Sequence, residues 1–321
     1  MAVSPTTGQL EYVYDNATER SASKTLAPGE LQKLYLGDWM IIFSLLIALV
    51  GLVGNSIVLW LLGFRIPRNP CSVYILNLAV ADDLFLCCYF LMYINYLFGP
   101  FYSWLVSEVQ FHLTYMFYTM DLSLLAAIST ERCLAVLFPI WYRCHRPKRT
   151  SAAVCAVLWF LTGLFGVTVY AFCYPLFIAG FCSPSLFTGV ACLFLLAFVL
   201  CVSSLTLLLR VQCSSQRPQR PRLYLLVLLT VLMFLLCGLP LGITDVIEFV
   251  TNSSFMPHRL PWLLACVNSS ANPFIYFFLG SQRHKRREPL RAVLQRALED
   301  EQEVGGGTRE DPHTNSLETS L

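Results

Sequence analysis

Residues 150 to 209 contain no Asp, Glu, Lys or Arg, an uncharged run of sixty positions. As one helix it would extend about 90 Å, three times the roughly 30 Å hydrocarbon thickness of a bilayer. It must therefore cross twice, and Pro175, Gly180 and Pro184 mark the expected break. Further apolar stretches at residues 39–64, 71–96, 111–140, 223–248 and 260–280 are each long enough for a single crossing. These seven spans predict an all-α membrane protein, a seven-helix bundle. Composition agrees, because only 13% of the 321 residues are charged, against about a quarter in soluble domains. A net charge of +2 gives no electrostatic reason to expect nucleic acid as a partner. Most of the 13 cysteines fall inside apolar segments, where they serve as small core residues.

Seven crossings put the chain ends on opposite sides. The segments 65–70, 141–150, 210–222 and 283–296 hold sixteen Lys or Arg, whereas the opposite side holds Arg20, Lys24, Lys33 and Arg259. Cytoplasmic loops carry the excess of basic residues, so residues 1–37 are expected outside as a polar tail. That tail has no basic-then-apolar leader, and the first span is expected to direct insertion. The orientation exposes two glycosylation tripeptides, at Asn16 and Asn252. A third, at Asn268, lies inside span seven and is set aside. The bundle proper is expected over residues 38–280. Beyond it, residues 281–298 read as a short amphipathic eighth helix on the membrane surface, with Leu290, Val293, Leu294, Ala297 and Leu298 among arginines. The acidic segment 299–321 reads as a disordered cytoplasmic tail.

The charges inside the spans are few and costly, at roughly 2.5 to 3.5 kcal/mol each at the bilayer centre. Asp82 and Asp83 lie in the middle of span two and Asp121 in the middle of span three, and each needs a partner or a task. Thr114, Tyr118, Asp121, Leu125 and Ile128 recur at helical spacing, so one face of span three can run from an outer pocket down to Glu131-Arg132-Cys133. Two neighbouring carboxylates cannot both ionise cheaply; either one is protonated or a cation bridges them. The spans' outer thirds offer Tyr89, Tyr93, Tyr96, Phe111, Tyr115, Tyr118, Tyr170 and Trp262, with Glu108, Asp245 and Glu248 as the nearby acids. The acids are the better binding candidates, since packing does not account for a charge there. Of the aromatics, Tyr115, Tyr118 and Trp262 are taken with Asp245 and Glu248 as the pocket. For Asp83 the sequence suggests no role.

Several motifs together resemble the rhodopsin-like G-protein-coupled receptors: Asn55, Leu78-Ala79-Val80-Ala81-Asp82, Glu131-Arg132-Cys133, Trp159, Pro240 and Asn272-Pro273-Phe274-Ile275-Tyr276. Finer strings, Tyr74-Ile75-Leu76-Asn77-Leu78, Ser129-Thr130-Glu131-Arg132-Cys133, Cys237-Gly238-Leu239-Pro240 and Asn268-Ser269-Ser270-Ala271-Asn272-Pro273, resemble the Mas-related receptor family over residues 40–298. The resemblance implies that Glu131, Arg132, Cys133 and Tyr276 serve coupling to a heterotrimeric G protein of the q/11 or i/o classes. It implies arrestin and receptor kinases as further partners, and a role in sensory or nociceptive neurons. Asn55, Asp82, Asp121, Asn268, Ser269 and Asn272 would form a polar core resembling the family's internal sodium site, with Asp121 adding a second carboxylate; no other cofactor is implied. Cys173 and Cys182 resemble the disulfide pair of Mas-related receptors, Ser107 standing where other receptors have a cysteine.

The chain also departs from that family's pattern. Val169 and an uncharged run stand where some Mas-related members hold acids for basic ligands, which leaves Asp245 and Glu248 as an alternative anchor for a cationic small molecule or short peptide. Gly238 replaces the tryptophan common before the span-six proline and is expected to open or raise the pocket floor. Arg220 stands where related receptors have an acid that pins the arginine, so appreciable basal activity is expected. At the terminus, Thr319-Ser320-Leu321 fits a short PDZ-domain ligand.

Other classes fit less well. A transporter would also place acids in the membrane, but no internal repeat or matched pair of broken helices is apparent. A retinal protein needs a lysine in span seven, and residues 260–280 have none. No nucleophile-base constellation suggests an enzyme. A receptor-like scaffold that does not signal stays open as an alternative.

Overall fold

The structure is a computed structural model that describes residues 28–67, 69–98, 104–147, 149–173, 179–213, 228–251, 253, 256–257, 259–281 and 290–299. Asn16, Arg220, Asn252, residues 319–321 and the side chains of Cys173 and Cys182 lie outside the described residues. The chain divides into two units, Met1–Asp38 and Trp39–Leu321. The elements run α1 (Pro28–Phe64), α2 (Pro70–Phe98), α3 (Trp104–Leu137), a short α4 (Pro139–Cys144), α5 (Thr150–Cys173), α6 (Ala179–Cys213), α7 (228–251), α8 (Arg259–Ser281) and α9 (Leu290–Glu299). No strand occurs among the described residues.

Five of these helices contain stretches long and apolar enough to cross a membrane: Trp39–Phe64, Pro70–Phe98, Thr150–Phe172, Phe187–Leu207 and Leu228–Glu248. The other two crossings, α3 and α8, are less apolar because they carry the polar residues of the interior, among them Asp121, Asn268 and Asn272. Helix α3 occupies the middle, packing against α2, α5 and α6, while α8 packs against α2 and α7. Helix α9 packs against α8 and buries Leu294.

Large apolar residues lie on the outer surface as well as in the core, unlike in a soluble protein. On α1, Phe43, Leu46, Val50 and Val53 are exposed on one helical face, as lipid-facing residues should be. The opposite face buries Ile41, Ala48, Asn55, Val58 and Leu62. Close approach replaces a hydrophobic driving force between helices in lipid, and small residues permit it. A Cβ on Gly54 would stand 3.1 Å from Pro273 of α8, so glycine here sets the α1–α8 separation.

Helix boundaries follow local chemistry. Pro70 sits at the first position of α2, and Asn69 caps it: its Oδ1 accepts from the Ser72 amide at 2.6 Å. Ser72 Oγ accepts in return from the Asn69 amide at 2.8 Å. Helix α3 ends at Leu137, earlier than the expected segment to Ile140, because Pro139 forces Phe138 out of the helical region, to φ −126° and ψ 62°. Conversely, Gly180 and Pro184 lie inside the first turns of α6, so the break within the uncharged run comes before Ala179.

Helix α7 contains a π-helical turn, Phe234–Gly238, in which the Leu239 amide reaches back to the Phe234 carbonyl. Pro240 lacks an amide and crowds the carbonyl four residues earlier, and the wider turn absorbs that mismatch. Truncating the cap of α2 tests the local account: Asn69→Ala should destabilise the purified protein by about 1 kcal/mol in thermal unfolding, whereas Asn69→Ser should cost much less.

Candidate functional site

The polar residues form three layers along α3. At one end, here the pocket end, the Tyr115 hydroxyl donates to the Asp245 carboxylate, joining α3 to α7. Trp262 of α8 lies edge-on to Tyr115 with ring centroids 5.3 Å apart. Phe111 closes on both, 4.9 Å from Tyr115 and 6.0 Å from Trp262. Tyr89, tilted against Tyr93 with centroids 4.7 Å apart, backs Trp262 at 6.3 Å. The expected pocket residues Tyr115, Asp245 and Trp262 thus meet across three helices. Glu248 is exposed one turn away on α7. Tyr170 contacts His112, with ring centroids 5.4 Å apart.

Tyr118 lies a turn deeper, almost fully buried, and its hydroxyl donates to the Gly238 carbonyl at 2.8 Å. It therefore ties α3 to the π turn and forms the floor. Of the two outcomes expected from Gly238, an opened or a raised floor, the packing beside it corresponds to the raised one. A Cβ on Gly238 would stand 2.5 Å from Phe234 Cδ2, because the Phe234 ring occupies that space.

The middle layer is the polar core. Asn272 Nδ2 donates to Asp82 Oδ2 at 2.8 Å, and Asn268 Nδ2 donates to Asp121 Oδ2 at 3.0 Å. Asn55 Nδ2 donates to the Ser269 carbonyl at 3.0 Å. Asp82 and Asp121 are buried and interact directly with each other. Each satisfies one carboxylate oxygen; Oδ1 of Asp82, of Asp121 and of Asn55 makes no protein hydrogen bond. All six residues expected in this core are buried. Asp83, unexplained by sequence, points the other way and accepts from Ser56 of α1 at 3.1 Å.

At the arginine end, Arg132 is buried and Cys133 half-buried, while Tyr276 is buried on α8. The Glu131 carboxylate has partners that sequence reasoning missed. It forms an ion pair with Arg146 and accepts from the Tyr142 hydroxyl at 2.9 Å and from Tyr74 at 3.4 Å. Arg146 also donates to Ser151 at 2.6 Å and lies over the Tyr142 ring, 5.0 Å from its centroid. The only signal was a basic run after span three, which charge bias alone already explained. On another flank, Trp159 Nε1 donates to Asn77 Oδ1 at 3.0 Å, fixing α5 to α2.

A helical bundle with a recessed aromatic and acidic cluster at one end, a buried arginine at the other and a polar core between them defines a signal-transducing membrane receptor. A family model described as 7 transmembrane receptor (rhodopsin family) matches residues 54–276. Mas-related G-protein coupled receptor member X2 of Rhinopithecus bieti is 49% identical over 278 residues, covering 83% of this chain and 84% of that protein. The Homo sapiens member X2 is 48% identical over 273 residues, 81% and 83% of the two chains. Member X1 of Rattus norvegicus is 43% identical over 288 residues, 84% and 85%. The chain belongs to the Mas-related G-protein-coupled receptors of the rhodopsin family. It is a multi-pass membrane receptor of the seven-transmembrane class, not an enzyme, and it couples to heterotrimeric G proteins.

The ion pair yields a prediction. Glu131 is buried and Arg146 largely shielded, and removing one leaves the other uncompensated, at a cost of roughly 3 kcal/mol. Arg146→Ala should lower the receptor's thermal stability accordingly, and Glu131→Gln in the same chain should recover part of the loss. Strict additivity of the two substitutions would contradict the pairing.

Proposed function

We propose that this receptor binds an extracellular ligand carrying a positive charge, a small molecule or short peptide, and that Asp245 is its anchor. The observation that carries the reading is the convergence of Tyr115, Asp245 and Trp262 from three helices, an acid framed by aromatic rings. Such a frame suits an ammonium or guanidinium group, because ring faces and a carboxylate both attract cations. Glu248, a turn outward, adds a second negative charge on the ligand's approach. A cation arriving at Asp245 competes with the Tyr115 hydroxyl for the carboxylate. Tyr115 precedes Tyr118 by one turn and Tyr118 precedes Asp121 by another, so displacement of Tyr115 bears on the π turn through Gly238 and on α8 through Asn268. Ligand binding thereby shifts an existing equilibrium between helix arrangements, favouring the one that presents Arg132 to the G protein.

The polar core suits a sodium ion. Asp82, Asp121 and Asn55 each offer an oxygen without a protein hydrogen bond, Ser269 adds a hydroxyl, and hard oxygen donors suit a small hard cation. A bound cation would neutralise the paired carboxylates, and releasing it would free α3 and α8 to move. The remainder of the reading rests on sequence for the N-terminus outside, glycans on Asn16 and Asn252 and a PDZ partner at the C-terminus, and on the family resemblance for a Cys173–Cys182 bridge, q/11 or i/o coupling, arrestin and receptor kinases, and a sensory or nociceptive setting. Agonist-stimulated nucleotide exchange in reconstituted receptor tests the whole: stimulated exchange is expected, and its absence together with substrate flux would point to a transporter.

Two sharper outcomes are expected. Asp245→Asn should lower the potency of cationic agonists at least ten-fold in a G-protein assay, with Asp245→Asn/Glu248→Gln lower still; unchanged potency counts against the anchor. In the Asp121→Gly variant, sodium should lose its effect on agonist affinity. Retention of the full sodium dependence would exclude Asp121 as a ligand of the ion.

A further inference from the structure

Three oxygens of the polar core have no protein partner: Oδ1 of Asp82, Oδ1 of Asp121 and Oδ1 of Asn55. The three residues are 0%, 1% and 0% exposed, so lipid and bulk solvent do not reach them. Their orientations are fixed. Asn272 and Asn268 occupy Oδ2 of the two aspartates, and Asn55 commits its Nδ2 to the Ser269 carbonyl, which leaves the amide oxygen as its unpaired end. All three share one small space, because Asp82 contacts both Asp121 and the Ser269 side chain, and Asn55 holds the backbone of that same serine. Among the described residues no three His, Cys, Asp or Glu side chains gather at one point, so the third donor here is a neutral amide.

Charge decides what such a site takes. Two carboxylates bring two negative charges, and α2 contains no Lys or Arg to offset them. Arg132 of α3 and Arg259 of α8 each stand more than two helical turns from Asp121 and Asn268. A water molecule satisfies the oxygens without touching the charge, and a proton or a sodium ion removes one charge of the two. A charge left over in a buried site is costly, and only a divalent ion removes both. Oxygen donors without nitrogen or sulfur select calcium or magnesium over zinc or copper. Magnesium demands near-ideal octahedral geometry, whereas calcium tolerates an irregular set of ligands. These donors are held by hydrogen bonds to α8 and not by an ion's own geometry, which favours calcium.

We propose that the polar core is a calcium site, in which Asp121 supplies the second carboxylate that shifts the preference from a monovalent to a divalent ion. The inference rests on the reading of this core as a cation site and names its preferred occupant; sodium occupies it when calcium is absent. Bound calcium ties α1, α2 and α3 together through Asn55, Asp82 and Asp121. Asn268 and Asn272 stand behind the carboxylates and orient them, the usual arrangement around a bound metal.

The test is thermal unfolding of the full-length receptor in lipid nanodiscs, stripped of divalent ions and titrated with calcium, magnesium or sodium chloride at constant ionic strength, without agonist. A bound ion raises the unfolding temperature as its concentration passes the dissociation constant. Calcium is expected to act at concentrations at least about ten-fold below those of magnesium and sodium. Asp121→Asn, which keeps an oxygen and removes the charge, should lose the calcium advantage and still respond to sodium; Glu108→Gln, at an outer acid, should keep it. Asp82→Asn removes the other charge and should show the same loss, so the outcome does not hang on one variant folding. Sodium or magnesium acting at or below the calcium concentration on the unmodified protein overturns the calcium site, as does an undiminished calcium advantage in the two aspartate variants. A response to sodium alone leaves the cation reading standing while the calcium site falls, and no response to any of the three ions overturns both.

Discussion

A carboxylate in the middle of a membrane cannot be left alone, and this chain puts two of them side by side. Asp82 and Asp121 are buried together where three helices meet, and each is met by an asparagine of α8. Water is too scarce at that depth to satisfy such groups, so protein partners, a proton or a cation must do so. The pair therefore fixes how α2, α3 and α8 pack, and it makes their arrangement depend on whatever neutralises the charge. The rest of the bundle is organised to reach this point: apolar faces outward, glycine at the α1–α8 contact, and a central α3 touching most of its neighbours.

Signalling follows from the same arrangement. Successive turns of α3 present Tyr115 to Asp245, Tyr118 to Gly238, Asp121 to Asn268, and finally Glu131 to Arg146. These contacts reach α7, α8 and the loop after α4 from one rigid element, so a small rotation or shift of α3 alters all of them together. The π turn opposite Tyr118 supplies compliance, because a wide turn beside a proline is already out of register with the ideal helix. With the Phe234 ring filling the space beside Gly238, the floor of the pocket is packed, and a ligand would act on Tyr115 and Trp262 above it.

How much of this was legible beforehand depended on the kind of signal. Crossings were legible because bilayer thickness imposes a length that composition reveals directly. The polar core was legible because Asp82 and Asp121 are anomalous in apolar helices and the motifs around them resemble a known receptor family. Contacts between helices were harder. That Asp245 meets Tyr115 depends on the rotation of α7, which the π turn changes and a three-residue Gly238-Leu239-Pro240 string does not announce. The Arg146 bond to Glu131 depends on how the chain folds back after Phe138, and a basic loop residue already had a sufficient explanation in topology. Tertiary context chose among partners that periodicity left equivalent.

The central claim is that Asp121 links the pocket to the G-protein end of α3. Linkage makes this measurable, since a G protein that favours the active arrangement must raise agonist affinity by the same factor by which agonist favours the G protein. Agonist affinity should therefore be compared with and without nucleotide-free G protein, in the unmodified receptor and in Asp121→Asn. The account predicts a clear gain in affinity for the unmodified receptor and a gain reduced several-fold in the variant, with both proteins still binding agonist. An undiminished gain in Asp121→Asn would contradict it.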